Sequence, residues 1–139
     1  MVVIAVGRGG FIIGAGVVLK APKPSVKVIG VEPVGSPALH ASPGDRRSGF
    51  SSADYDDRSD DGVQAHRRCI VRTVADRVDE VVLVSDVEIQ DAAQWLWFEC
   101  GLAADLGDTA TIAALATGTV SVEKGQTVVA PVCGVGLPA

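Results

Sequence analysis

An apolar run, Val2-Val3-Ile4-Ala5-Val6, leads directly into Gly7-Arg8-Gly9-Gly10 and then into Phe11-Ile12-Ile13-Gly14. The order reads as a strand, a glycine turn and a helix, and the chemistry such a turn offers is anion binding. Glycines let backbone N–H groups curl around a phosphate, and the first helical turn adds unpaired donors and the positive end of a dipole. A phosphorylated cofactor or nucleotide is the ligand class this implies. The segment alone is equally compatible with a tight βα connection whose glycines serve only packing.

A second glycine turn, Cys133-Gly134-Val135-Gly136, follows the apolar run 127–132. Its cysteine belongs to a set of three, with Cys69 and Cys100, that is odd in number, widely spaced and without paired metal-ligand spacing. Reduced thiols in a cytoplasmic protein are the expectation. Asp54, Asp56, Asp57, Asp60 and Asp61 crowd into the polar stretch 43–62. They lack the spacing of a calcium loop, so a solvated, irregular surface is the expected reading.

The elements that must position these residues follow from pattern. Strands are expected at 2–6, 26–32, 80–85 and 127–132, and helices at 11–21, 69–77, 86–102 and 109–116, with a short helical run before Ser42. Pro22 and Pro24 stop the first helix, Ser85 or Asp86 caps the third, and Gly118 closes the last. Trp95, Phe98 and Leu102 recur at helical spacing and are expected to form a core stripe. Strand, helix and strand joined by short connections make a βαβ crossover with parallel strands, whose carboxyl ends face one side, where such sheets bind ligands.

The chain has 139 residues, of which 47% are hydrophobic and only 4% aromatic, so one domain or part of one with a substantial core is expected. Small and β-branched residues dominate, as in α/β proteins whose open parallel sheet is flanked by helices. A formal charge of −5 with no basic stripe argues against a nucleic-acid surface. Residues 2–19 carry Arg8 and several glycines, which suits neither a signal peptide nor a membrane span. A small molecule is the expected partner.

With both glycine turns placed at strand ends, the order of parts resembles the serine/threonine dehydratase (threonine ammonia-lyase) family of pyridoxal phosphate (PLP) enzymes, fold type II of the tryptophan synthase beta-like superfamily. The likeness is to the C-terminal half of such enzymes. Val6-Gly7-Arg8-Gly9-Gly10-Phe11 stands for a strand entering four glycines and an aliphatic residue, and Val31-Glu32-Pro33, Asp61-Gly62 and the segment 79–85 with Glu88-Ile89 follow in the family's order. Asp105 stands where a glutamate is usual, and Cys133-Gly134 matches part of the closing Ser/Cys-Gly-Gly/Ala-Asn motif.

The resemblance implies PLP chemistry on a hydroxy amino acid, threonine or serine, giving a 2-oxo acid and ammonia. It further implies that Gly7, Arg8, Gly9 and Gly10 hold the cofactor phosphate, that Cys133 faces the pyridine nitrogen, and that Gly62 and Asp105 lie nearby. Each residue also has a plain reading: Cys133 as a buried small residue, Gly62 as a turn, Asp105 as a helix cap or surface group. Glu32 corresponds to a metal-binding glutamate in some relatives, but Ala38 replaces the acid expected six positions later, and no metal is expected.

Three departures matter. The family's Schiff-base lysine has no counterpart, because Lys20, Lys23, Lys27 and Lys124 lie in unrelated contexts. Arg8 replaces a glycine, where a positive φ would be strained. Val135 and Gly136 replace the usual end of the last motif. Residues 1–139 are therefore expected to form a single partial domain, truncated and inactive alone, that self-associates or needs a complementing chain. Two other readings remain open: a Rossmann-type dinucleotide-binding module, with Glu32 on a ribose hydroxyl but Ile12 in place of the third glycine, and a non-catalytic remnant or interaction protein.

Overall fold

Three parallel strands in the order β1-β2-β5 form the centre of the computed structural model, which describes residues 1–35, 40–41, 51–52 and 76–135. The strands are β1 (Val2–Ala5), β2 (Val28–Pro33) and β5 (Glu80–Val84). Register runs from Val2↔Val28 to Ala5↔Val31 and from Ile29↔Glu80 to Pro33↔Val84. A separate two-residue pairing joins β3 (His40–Ala41) to β4 (Ser51–Ser52), also parallel. The helical run expected before Ser42 is thus replaced, at His40–Ala41, by extended backbone.

Alternation along the strands builds two cores. Val2, Ile4, Val6 and Val28 face one layer, where Ile12, Ile13 and Leu19 of helix α1 (Gly10–Lys20) cover them. Val3, Ile29, Val31 and Val84 face the other, where Ile89 and Ala92 of α2 (Asp86–Cys100) and Ala110, Ala113 and Ala114 of α3 (Leu106–Ala116) close the second core. Side chains of successive strand residues point to opposite faces, so a sheet covered on both sides needs largely apolar strands, as these are apart from Glu32 and Glu80.

Gly30 is a glycine because the α1 layer comes so close. A Cβ there would lie 2.9 Å from Val6 Cγ2, 3.1 Å from Val81 Cγ2 and 3.2 Å from Ile12 Cδ1. At the far end of α1, Lys20 Nζ sits 2.7 Å from Asp79 Oδ1, and Asp79 Oδ2 accepts the Val28 N–H at 2.7 Å. One carboxylate thus ties the helix terminus to the start of β2.

α2 begins at a capping box. The Ser85 hydroxyl accepts the Glu88 N–H at 3.3 Å, and the Ser85 N–H donates to Glu88 Oε2 at 2.7 Å. Gly101, at φ 67, ends it. The face it buries is Ile89, Ala92, Ala93 and Leu96. This corrects the expected core stripe, because Trp95 is 53% and Phe98 76% exposed, with Leu102 also exposed. Alanines permit close approach to α3 and the sheet, and the bulky aromatics are left on the opposite side of the helix.

The expected last strand is reduced to one bridge, Val2↔Val129. The Val3 N–H donates to Val129 C=O at 2.9 Å and the Val129 N–H to Met1 C=O at 3.1 Å. That parallel bridge still fixes direction: 127–132 runs alongside β1 and delivers Cys133 toward the carboxyl edge of the sheet. Of the expected helix 69–77, only residues 76–77, which are helical, are among those described.

Candidate functional site

The carboxyl edge of the sheet carries both glycine turns. At the end of β1 the Gly9 N–H donates to Val6 C=O at 2.8 Å, closing a tight turn through Gly7 and Arg8. Gly7 at φ 51 and Gly9 at φ 84 take the left-handed conformations that L side chains disfavour. Among the described residues no other type has positive φ, so Arg8 occupies its position without that strain, and its side chain is exposed. The positive φ anticipated at Arg8 falls instead on its glycine neighbours, which adopt it without a Cβ clash.

The first bond within α1 runs from the Ile13 N–H to Gly9 C=O at 3.1 Å. The N–H groups of Gly10, Phe11 and Ile12 therefore precede the intrahelical ladder and point out of the helix end. No acidic residue stands in this first turn and no side chain caps it. A Cβ at Gly7 or Gly10 would meet nothing within 4 Å among the described residues. Donors, dipole and the Arg8 guanidinium all favour an anion here. The Gly9 N–H is committed to the turn itself.

Glu32, 2% exposed, lies at the carboxyl end of β2. Since Ala5 pairs with Val31 and the Val6 N–H donates to Val31 C=O at 3.0 Å, Glu32 comes level with Val6 at the mouth of the turn.

The second turn is built differently. The Cys133 N–H donates to Asp108 Oδ2 at 2.8 Å, and the Gly134 N–H donates to the same oxygen. The Asp105 N–H donates to Gly134 C=O at 3.2 Å, while Asp105 Oδ1 caps α3 by accepting the Gly107 N–H at 2.7 Å. A Cβ at Gly134 would stand 2.9 Å from Asp105 Cβ and 3.0 Å from Asp108 Oδ2, so only glycine fits against the start of α3. These bonds bring Asp105 and Cys133, far apart in sequence, to one place. The Cys133 thiol is exposed, which removes its plain reading as a buried small residue, whereas the reading of Asp105 as a cap holds.

Asp108 is the residue sequence reasoning missed. The helix expected from Thr109 begins at Leu106, which moves Asp108 into the first turn. An acid at a helix start is common enough to carry no signal by itself. Gly62, Cys69, Ala38 and the acidic cluster at 54–61 lie outside the described residues.

All four lysines sit away from this edge. Lys20 ends α1, Lys23 and Lys27 precede β2, and Lys124 belongs to the turn before 127–132. Eleven residues of α1 place Lys20 roughly 15 Å from the helix start. Among the described residues no three His, Cys, Asp or Glu side chains gather in a way that would hold a metal, and no helix is long and apolar enough to cross a membrane.

Comparison with known proteins identifies the family and the fold. The chain is 32% identical to the L-threonine ammonia-lyase of Thermotoga maritima over 117 residues, 83% of this chain and 29% of that protein. It is 30% identical to the biosynthetic L-threonine dehydratase of Bacillus subtilis over 132 residues, 94% of this chain and 31% of that protein. The chain thus spans about a third of the length of these curated relatives. Among solved structures, the processed form of threonine deaminase isoform 2 from Solanum lycopersicum superposes with a TM-score of 0.73 at 24% identity, covering 98% of this chain and 40% of that one. Serine racemase from Dictyostelium discoideum gives 0.72 at 20% identity, covering 97% and 43%. These likenesses show the fold, that of the fold-type II PLP enzymes. The model of the family described as "Pyridoxal-phosphate dependent enzyme" matches residues 1–134, and to that family the chain belongs.

Proposed function

We propose that this chain is the phosphate-holding part of a PLP-dependent dehydratase acting on L-threonine or L-serine. The observation that carries the reading is the start of α1, which follows the glycine turn with no acidic residue in its first turn and no side-chain cap, beside an exposed arginine. The residues fit the cofactor's phosphate end. Gly10 and Phe11 donate backbone N–H groups, Gly7 and Gly9 give the turn its shape, and Arg8 adds a charge-assisted contact.

When bound, PLP supplies an electron sink for the electrons left at a substrate's Cα once its proton departs, which lets a β-hydroxyl leave. Cys133 offers the pyridine nitrogen a thiol, a weak donor and acceptor that does not force the ring to be protonated. Asp105, and Gly62 by resemblance, lie in support. With every lysine away from the carboxyl edge, the amine that such chemistry requires comes from outside this chain. Alone, residues 1–139 form a partial domain that binds but does not turn over.

Exposed Phe11, Trp95 and Phe98, together with β5 at the edge of the described sheet, support self-association or a complementing chain. Free, exposed Cys100 and Cys133 suit a reducing, cytoplasmic setting.

The test is a titration of the full chain with PLP and with inorganic phosphate. Both are expected to compete for one seat, and Gly9→Val is expected to abolish both. Unchanged PLP binding in that variant overturns the seat. A stoichiometric borohydride-stable PLP adduct on Lys20, Lys23, Lys27 or Lys124 overturns the claim that this chain supplies no amine. Glu32 beside the glycine turn is the one feature that favours a dinucleotide instead, and tight NAD binding displaced by phosphate establishes that reading in place of PLP.

A further inference from the structure

We propose that Asp108 is a positioning residue for Cys133: its carboxylate acts as a built-in anion for the second glycine turn and sets the thiol at the carboxyl edge of the sheet. The assignment rests on the proposed PLP reading and adds to it a residue that the resemblance does not supply.

Asp108 Oδ2 accepts two consecutive backbone N–H groups, those of Cys133 and Gly134. Both bonds are charge-assisted, the stronger class of hydrogen bond. The Asp105 N–H to Gly134 C=O bond at 3.2 Å adds a third tie between the start of α3 and the turn. Among the described residues, the preceding bridge to the sheet is at Val129, four residues earlier, and both Cys133 and Val135 are exposed. The position of the thiol therefore depends on α3, and α3 is held by the sheet through Ala110, Ala113 and Ala114.

Two consequences follow. The second turn has spent its donors on Asp108 and cannot serve as a phosphate seat, which leaves the first turn to hold the phosphate. The ring end of the cofactor then meets a thiol whose placement is set by Asp108, so loss of that carboxylate weakens PLP without weakening inorganic phosphate.

The experiment measures dissociation constants of PLP and inorganic phosphate for the full chain, for Asp108→Ala, for Cys133→Ala and for the double variant. Asp108→Ala is expected to weaken PLP about tenfold and to leave phosphate unchanged. In the Cys133→Ala background it is expected to have no further effect on PLP, because a residue acting through Cys133 has nothing left to act on. Asp108→Asn keeps one acceptor oxygen and is expected to restore part of the loss; it carries the same test should Asp108→Ala not fold. Equal PLP binding in wild type and variants overturns the assignment, as do additive losses in the double variant or a parallel loss of phosphate binding. If wild type binds neither PLP nor phosphate, the seat at the first turn fails and this assignment falls with it, an outcome distinct from PLP binding that ignores Asp108.

Discussion

The two glycine turns share an edge of the sheet and a local chemistry, yet they end in opposite electrostatic states. At Gly7–Gly10 the α1 start, beside Arg8, has no acid in its first turn and no side-chain cap. At Cys133–Gly134 the donors converge on Asp108. The described helices extend the contrast. α2 carries Asp86 and Glu88 in its first turn and α3 carries Asp108 behind an Asp105 cap, whereas α1 carries no acid there. A glycine after a strand is thus a poor guide to anion binding on its own. What decides is whether a carboxylate of the same chain already occupies the donors, since a helix start with its own aspartate has little left to offer phosphate.

The largest way to break the comparison is to remove what lies beneath the first turn. Ile12 is fully buried between α1 and the sheet. Ile12→Ala should cost about 2–5 kcal/mol of stability, because a cavity opens under the helix that carries the donors. Thermal or urea unfolding measures that cost, and phosphate affinity should fall with it.

Gly9→Ala is subtler. At φ 84 the new side chain costs about 1–2 kcal/mol if the backbone is kept. Relaxing the backbone instead breaks the Gly9 N–H to Val6 C=O bond and turns the donors away. Phosphate titration paired with denaturation separates the two: intact binding in a destabilised protein means the turn is kept, lost binding in a stable one means it has relaxed.

Arg8→Ala tests the charge alone. The residue is exposed and its backbone unstrained, so stability should be nearly unchanged while phosphate affinity falls a few-fold and loses part of its salt dependence. An equal loss at low and high salt would show that Arg8 shapes the turn rather than attracting the anion.

Much of this architecture is legible in the sequence because local and tertiary signals agree. The apolar run 2–6 ending in Gly7, the stop before Pro22 and the run around Val28–Val31 prescribe a parallel βαβ unit, and Ser85 or Asp86 marks a capped helix start. Legibility fails where two answers fit one period. α2 has an aromatic stripe and an alanine-rich stripe, both at helical spacing, and close packing against α3 selects the one with Ala92 and Ala93. The segment 127–132 has a strand's composition, but bonds from Cys133 and Gly134 to Asp108 draw the chain off the β1 ladder after Val129. Such a contact joins residues 25 apart and leaves no periodic trace.

The smallest expected effect lies at α2, whose first turn carries its own carboxylate as that of α1 does not. The Ser85 backbone N–H, and then its hydroxyl, donate to Glu88 and hold its carboxyl below the ordinary glutamate value. A depressed folded-state value contributes stability that is present above the unfolded pKa and is lost as pH falls through the folded one. Acidification through and below the ordinary glutamate range should therefore remove an increment from the wild type. Ser85→Ala deletes the hydroxyl contact and the acceptor for the Glu88 N–H, so its melting temperature should be lower at neutral pH and the gap to wild type should narrow as acid protonates Glu88. Phosphate binding at the α1 start should not respond to this substitution. A Ser85→Ala variant that keeps the full neutral-pH gap in acid would show that the cap acts through the serine hydroxyl alone, and the carboxylate at α2 would then no longer be a counterpart to the one on Cys133 and Gly134.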